Sequence, residues 1–425
     1  MSLVQERGGY ARALRHQDLR CDALVVTDRR FWRRSTGSEQ RIANLLLYLE
    51  QRGVFVIAAH VGHVGSVGSE ARREQSAIEK FRRDAPRLGI LTRPWNARSI
   101  WPSQTRPLRR AFVQSAIERW TPPIVLVEFL RLTDLVLPGP DIHPKPSYWI
   151  DTHDLMHQRA ERFRREGIPL ERTLDEEEEA RLLGGYDTVL AIQPVEADGF
   201  RKLVPEKEVL VVRHGVPMPK DPFPLECTDS GLHSKLPANS PRQPLRPLSP
   251  SVGFLGGPGE ANRHALDWFV TQVWPTVRAH FDRPPTLSVG GQVCREWTSP
   301  DEDIIEVGPV DSAGDFWQHI DIAVNPIRAG SGLKIKNVEA LAWARPLLTT
   351  SIGAEGLEGA APDGLRIADD PMTWSKTLIH WLSDRATRHE VGRRGRAYAE
   401  SHLCPEAAFL DLEQKIAQTL GETGR

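Results

Sequence analysis

The chain has 425 residues, 40% of them hydrophobic and 26% charged, with a formal net charge of −1. That length exceeds one ordinary core and predicts two domains of roughly 200 residues each, while the near-neutral balance argues against a nucleic-acid binder. The four cysteines, Cys21, Cys227, Cys294 and Cys404, form no CxxC pair, so neither a zinc framework nor a disulfide scaffold is indicated and a reduced, cytoplasmic compartment fits.

The opening MSLVQERGGYARALRHQD has no apolar core of the kind a signal peptide carries, and no apolar run reaches the roughly 18 residues of a membrane span. Any membrane contact is therefore expected to be peripheral. Ala23–Thr27 reads as a buried strand, and Gln40–Gln51 as a helix with Ile42, Leu45, Leu46 and Leu49 on one face. Further strands are predicted at Val54–Ala59, Ile124–Phe129, Ser147–Ile150, Thr188–Ile192 and Val209–Val212. Strands separated by helices imply right-handed crossovers and a parallel sheet. Between Pro217 and Pro250 the pattern breaks, with nine prolines in 34 residues, as in a linker or a long surface excursion.

A second series begins at Ser251 with a strand, then a helix over Asn262–His280 and strands at Thr286–Val289, Ile304–Val307, Ile320–Val324 and Pro346–Thr350. From Met372 the chain reads as helical, and Pro405–Leu420 is amphipathic, carrying Phe409, Leu412, Ile416 and Leu420. The predicted architecture is α/β, with two doubly wound, Rossmann-like domains at 1–216 and 251–400 and a linker at 217–250. A terminal helix in 401–425 is placed to cross back to the first domain. Ligands in such sheets gather at the carboxyl ends of strands, so two facing domains make a cleft.

The most informative segment runs from Asn325 to Leu357, NPIRAGSGLKIKNVEALAWARPLLTTSIGAEGL. A strand enters a loop carrying Arg328, Gly330, Ser331 and Gly332, and a helix follows. Gly330 and Gly332 allow close backbone approach, and Ser331 is the predicted N-cap, so N–H groups and the helix dipole favour an anion there. Lys334 and Lys336 add positive charge, but on a helix they would diverge by about 200°. Glu339, three residues after Lys336, offers a carboxylate to hydroxyl groups; as a surface pair the two would instead stabilise the helix by only a few tenths of a kcal/mol. Phosphate beside sugar needs this pairing of anion loop and carboxylate.

Elsewhere, RRSTGSEQR (Arg33–Arg41) places Gly37 and Ser38 before a helix, either lining a cleft or with Ser38 as N-cap. In WIDTHDLMHQR (Trp149–Arg159), His153 and Asp154 follow a strand directly, where cleft residues gather. His153 and His157 also stand at the spacing of a zincin pair, without a third ligand. Residues 71–120 hold twelve Lys/Arg against four Asp/Glu, with Trp95, Trp101 and Trp120 between them. This is either a solvated helical face over buried tryptophans or a contact for anionic lipid or a lipid-diphosphate acceptor. The acidic run Asp175–Glu179 reads as a helix start with Thr173 and Glu176 as a capping box.

The Asn325–Leu357 segment resembles the donor-sugar motif of retaining GT-B glycosyltransferases of the large group that includes glycosyltransferase family four. The stretch VEALAWARPLLTTSIGAEGL follows its pattern, with Ala344 where glycine is usual. Other pieces match in order: VGFLGGPGEANRHALDWFVTQVWP, EVGPVDS, YDTVLAIQPVEADGF with Gln193 for the usual serine, and VVRHGVP with Arg213 and His214 as departures. The resemblance implies that Glu339 binds the ribose, that Gly256 and Gly257 approach the diphosphate with the loop and its lysines, and that Gly308 and Val310 lie beside the base. It implies His153 near the reacting end of the sugar, oriented by Asp154. It further implies a nucleotide diphosphate sugar as co-substrate, retention of configuration and no bound metal or other cofactor, with a glycan or lipid-linked acceptor on the N-terminal domain. Ser331 stands where many relatives carry a glutamate. That departure is also what a catalytically silent nucleotide-sugar binder, scaffolding polysaccharide assembly, would show.

Overall fold

The computed structural model describes residues 20–64, 68–93, 102–170, 173–222, 250–299, 301–310 and 312–422. The first sheet contains β1 (Ala23–Thr27), β2 (Val56–His60), β3 (Gly89–Thr92), β4 (Ile124–Glu128), β5 (Ser147–Asp151), β6 (Thr188–Ala191) and β7 (Glu208–Val211). They are parallel in the order β3-β2-β1-β4-β5-β6-β7. The second sheet contains β8 (Ser251–Leu255), β9 (Thr286–Gly290), β10 (Ile304–Gly308), β11 (Ile322–Asn325), β12 (Leu347–Thr349) and β13 (Leu365–Ile367). Its order is β10-β9-β8-β11-β12-β13, again parallel. Each sheet is doubly wound, and strand order reverses at β1/β4 and at β8/β11. Those reversals open crevices at the carboxyl ends of the strands.

The central strands are short apolar runs because both faces are covered by helices. Every residue of β1, β2 and β4 is buried. The helix Gly37–Gln51 buries Ile42, Leu45, Leu46 and Leu49 against one face of the first sheet. The same cluster takes in Phe409, Leu412 and Ile416 of the terminal helices Pro405–Ala408 and Leu410–Glu422, so the end of the chain packs on the N-terminal domain. Lys415 pairs with Glu208 at 2.8 Å, and Tyr48 bonds Glu413.

Several expectations are corrected. Edge strands β3 and β13 were not predicted; each is only three or four residues long and one carries glycine and the other arginine. The helix expected over Asn262–His280 is two, Glu260–Gln272 and Trp274–Ala279, divided where Pro275 can only begin a helix. The cap of the acidic helix Glu176–Leu183 is Asp175, whose carboxylate accepts from the Glu178 N–H at 2.8 Å, and not Thr173. Of the proline-rich stretch, residues 223–249 lie outside the described residues. Its beginning is held on the C-terminal domain, where the Pro219 and Pro222 carbonyls accept from Arg396 and Arg345. In the basic stretch, Trp95 and Trp101 lie outside the described residues. Arg82 and Arg110 there donate to backbone carbonyls of their own domain, and Arg87 pairs with Glu50. No described helix is long and apolar enough to cross a membrane.

Candidate functional site

A cleft of about 480 Å³ lies between the carboxyl ends of the two sheets. The C-terminal wall is built by the loops after β8 and β11, and the N-terminal wall by those after β1, β4 and β5. Gly37, Ser38, His153, Asp154, Gly256, Gly257, Val310, Gly330, Ser331, Lys334, Lys336 and Glu339 all line it.

The loop after β11 meets the cleft as exposed backbone. Among the described residues, none of the N–H groups from Ala329 to Lys336 donates to another protein group, and the helix Ile335–Ala342 begins immediately behind them. That helix starts three residues later than a cap at Ser331 would place it. Lys334 is the N-cap, and Ser331 donates instead to Asp154 Oδ1 at 2.8 Å, across the domains. Because Lys334 precedes the helix, the 200° divergence from Lys336 does not apply, and both lysines reach the cleft. Lys334 Nζ donates to the Gly332 carbonyl at 2.6 Å and faces Glu355 at 3.5 Å. Lys336 Nζ donates to Asn262 Oδ1 at 2.7 Å and sits 4.2 Å from the centre of the Phe254 ring.

Burial dominates the electrostatics of this wall. It lowers the Lys336 ammonium to about 7, with Lys334 pushing the same way and Glu339 opposing. It raises the Glu339 carboxyl to about 8, against the pull of Trp317, Gln40 and Lys336. Glu339 is 6% exposed. A diphosphate beside Lys336 would restore its charge, and hydroxyl donors would stabilise the Glu339 carboxylate.

On the facing wall, Phe129 and His153 end β4 and β5 with left-handed backbones, φ 82° and 63°, and their rings stack at 3.9 Å. Two non-glycine residues held in that region, in contact with each other, mark a constrained site. His153 Nε2 bonds Glu128 Oε2 at 2.6 Å. Burial, then Asp151, raises the Glu128 carboxyl, and His153 pulls it down. Asp154 was expected to orient His153. It is Glu128 that does so, because the turn at His153 sends Asp154 sideways to Arg159 at 2.8 Å and to Ser331. Behind them, Arg41 grips Asp151 at 2.8 and 3.0 Å and the Val212 carbonyl at 2.9 Å, wholly buried.

Other expected residues are placed differently. Arg328 turns away from the cleft to Glu166 at 3.2 Å and over Trp268. Gly308 closes β10 with φ 79°, and its carbonyl accepts from Gly291; Val310 reaches the cleft and Gly308 does not. Gly256 donates its N–H to the Gly290 carbonyl, which leaves Gly257 as the open glycine of the pair. Gly332, at φ 72°, faces His153 so closely that a Cβ would sit 2.8 Å from that carbonyl. Ser38 is not a cap: Thr36 accepts from the Glu39 N–H, and Glu39 reaches back to the Ser35 N–H at 2.8 Å. Gly37 lets its helix approach Ile335, since a Cβ there would be 3.2 Å from Ile335 Cδ1.

The zincin-like pair dissolves. His153 precedes the helix Met156–Arg165, and His157 Nδ1 bonds Glu179 at 2.7 Å. Glu128, Asp151 and His153 lie close enough together to meet one cation, but the Arg41 guanidinium already holds both oxygens of Asp151.

Sequence reasoning missed Glu128, Asp151, Arg41, Gln40, Asn262 and Glu355. Glu196 was visible as the glutamate of QPVE. It is buried beside Gly332, accepts from the Leu155 N–H at 3.2 Å, and burial with Asp154 raises its carboxyl to about 8.

Comparison with known proteins agrees with this geometry. Residues 249–384 match the family model described as glycosyl transferases group 1. Sucrose-phosphate synthase from Thermosynechococcus elongatus superposes with a TM-score of 0.66 at 12% identity, covering 94% of this chain and 100% of that one. HepE from Anabaena, solved in complex with UDP and glucose, gives 0.64 at 14% identity over 94% and 99%. An uncharacterised 44.6 kDa protein of the cps region of Klebsiella pneumoniae is 25% identical over 91 residues, 21% of this chain and 24% of that protein's length. The chain thus has the GT-B fold over nearly its whole length, and the stretch that matches the glycosyl transferases group 1 model falls in its C-terminal domain.

Proposed function

We propose that the chain is a glycosyltransferase that moves a sugar, a hexosyl group by our reading, from a nucleotide diphosphate sugar to a glycan or lipid-linked acceptor, with retention of anomeric configuration. The observation that carries the reading is the run of N–H groups from Ala329 to Lys336, undirected to protein, ending on Lys336 and followed within one helical turn by Glu339. Glu339 accepts from the ribose hydroxyls. Lys336, Lys334, Gly257 and the loop glycines face the diphosphate, and Val310 lies on the base side. Preorganised N–H groups and a lysine stabilise a leaving diphosphate without moving at the moment of reaction, so the reading calls on no resident metal. His153, fixed by Glu128 and Phe129, is placed against the sugar, and the helix start at Gly37 and Ser38 borders the acceptor. The match to a group 1 domain and the superposition on HepE, whose structure holds UDP and glucose, support the donor class. A cytoplasmic role in polysaccharide assembly, with residues 71–120 touching the membrane face, completes the proposal.

The test has two steps. Calorimetry of the full chain with UDP, GDP, ADP and CMP should show one nucleoside diphosphate binding well ahead of CMP. The matching donor sugars should then be consumed with an acceptor, and proton NMR of the product should show the donor's anomeric configuration. Binding without turnover against any acceptor would favour a silent sugar-nucleotide binder.

A further inference from the structure

The N-terminal wall of the cleft carries more positive charge than it neutralises. Arg29, Arg34 and Arg159 line it. Arg159 is engaged by Asp154 at 2.8 Å. Arg29 has no such partner. Its nearest carboxylate, Asp28, is gripped at two oxygens by Arg131 at 2.8 and 2.5 Å, which leaves Arg29 a contact of 3.8 Å. The carboxylate partner of Arg34 is Asp84, at 3.4 Å and itself 57% exposed, and each guanidinium lies over an aromatic ring, Arg34 over Phe81 and Arg29 over Phe129. Burial, then Arg131, lowers the Arg29 guanidinium, and burial lowers that of Arg34. Their side chains keep 43% and 36% of their surface open, so the donors that no protein group takes are left at the cleft. They flank the short turn Phe31–Arg33, and the chain then runs through Ser35 and Thr36 into the start of helix Gly37–Gln51.

We propose that Arg29 and Arg34 seat an oxyanion of the acceptor, a phosphate or a carboxylate, so that this protein glycosylates a phosphorylated or acidic sugar in preference to a neutral one. The inference rests on the reading of the cleft as a glycosyl-transfer site. The planar guanidinium fork matches both oxyanions with paired N–H donors. An incoming anion relieves the repulsion between Arg29 and Arg131 and need displace only the exposed Arg34–Asp84 pair, which contributes little. A neutral sugar would leave both guanidiniums partly desolvated and unpaired.

The full chain, saturated with whichever of UDP, GDP and ADP binds, is titrated with glucose, glucose 6-phosphate, glucuronate and inorganic phosphate. The anionic sugars should bind about tenfold or more tightly than glucose, as expected for a charge-assisted contact, with an advantage that shrinks as salt rises. Glucose 6-phosphate ahead of glucuronate identifies a phosphate seat, and the reverse a carboxylate seat. In R29Q/R34Q the advantage should vanish while nucleotide affinity stays within about twofold. R34Q alone, at a half-exposed side chain, should lose about threefold and serves if the double variant does not fold. Equal binding of glucose, no binding of any anionic probe, or an advantage that survives in the variants overturns the assignment. Loss of nucleotide affinity in R29Q/R34Q overturns it too, because the arginines would then serve the donor. If no nucleoside diphosphate binds the wild-type protein, the transfer reading itself fails and takes this one with it.

Discussion

Replacing Glu339 by glutamine tests whether a buried, proton-holding carboxyl sits in the middle of helix Ile335–Ala342. The Glu339 carboxyl is raised from 4.5 to about 8. The folded state therefore holds this proton more tightly than the unfolded chain. The contribution to stability is fully present below about pH 4.5 and is lost as pH rises toward 8. Between pH 5 and pH 7 the loss is about 2.5 kcal/mol, at roughly 1.4 kcal/mol per pH unit. Glutamine keeps the shape and removes the titration. For a domain of this size, about 2–4 °C per kcal/mol, the C-terminal transition of the wild type should fall by about 5–10 °C relative to E339Q over that interval. Lys336, lowered to about 7, acts with the opposite sign and in a different window, recovering stability between about pH 7 and its unfolded value of 10.5. Scanning calorimetry of both proteins at pH 5, 6 and 7 measures the difference. Parallel pH slopes would refute the buried, protonated carboxyl. The same variant should bind its nucleotide more weakly by about 1.5–3 kcal/mol, the value of hydrogen bonds to a charged acceptor, and unchanged affinity would remove Glu339 from the ribose.

The remaining predictions concern the facing wall. R41M strands Asp151 fully buried without its partner and should cost about 3–5 kcal/mol in urea unfolding; R41M/D151L should regain most of it. G332A places a methyl against the His153 carbonyl at φ 72°, so the loop must shift: turnover should fall about tenfold or more, and nucleotide affinity should fall with it because the same loop carries the N–H groups that face the diphosphate. E128Q should leave stability within about 1 kcal/mol, since burial already favours the neutral carboxyl, yet lower turnover by releasing the His153 ring; full turnover would exclude Glu128 as a positioning residue.

How far the sequence could be read depended on whether a feature is local. Strands such as Ile124–Glu128 and Ala23–Thr27 are unbroken apolar runs, so burial on both faces wrote them into composition. The anion loop was legible because glycines, lysines and a glutamate fall within twelve residues of one another. Partners brought together by the sheet were not legible. Glu128 meets His153 only because β4 and β5 are neighbours in register, with Glu128 beside Asp151. Arg41 finds Asp151 from 110 residues away. Ser331 looked like a helix cap because the local pattern allows it. Only the N-terminal domain, arriving with Asp154, gave its hydroxyl a better partner.

That partner also gives a physical account of the serine itself. A glutamate at 331 would enter a loop whose neighbours already include Asp154, Glu196 and Glu355, against Lys334, Arg159 and Arg162. Ser331 instead donates a hydrogen bond to Asp154, while Arg162 reaches the Gly330 carbonyl at 3.0 Å and Glu355 at 2.7 Å from the other domain. Asp154 thus brings a carboxylate to position 331 from the N-terminal domain. S331E sets that account against simple restoration of the family residue. If a glutamate is what the loop lacks, S331E should raise turnover. If Asp154 already occupies the position, two carboxylates a few ångströms apart repel by up to about 4 kcal/mol at an effective dielectric constant near 20. The closed form then weakens, small-angle scattering should show a larger radius of gyration with nucleotide bound, and turnover should drop about tenfold or more. S331E/D154N removes the repulsion and should return both readouts toward the wild type; a compact, more active S331E would refute the account.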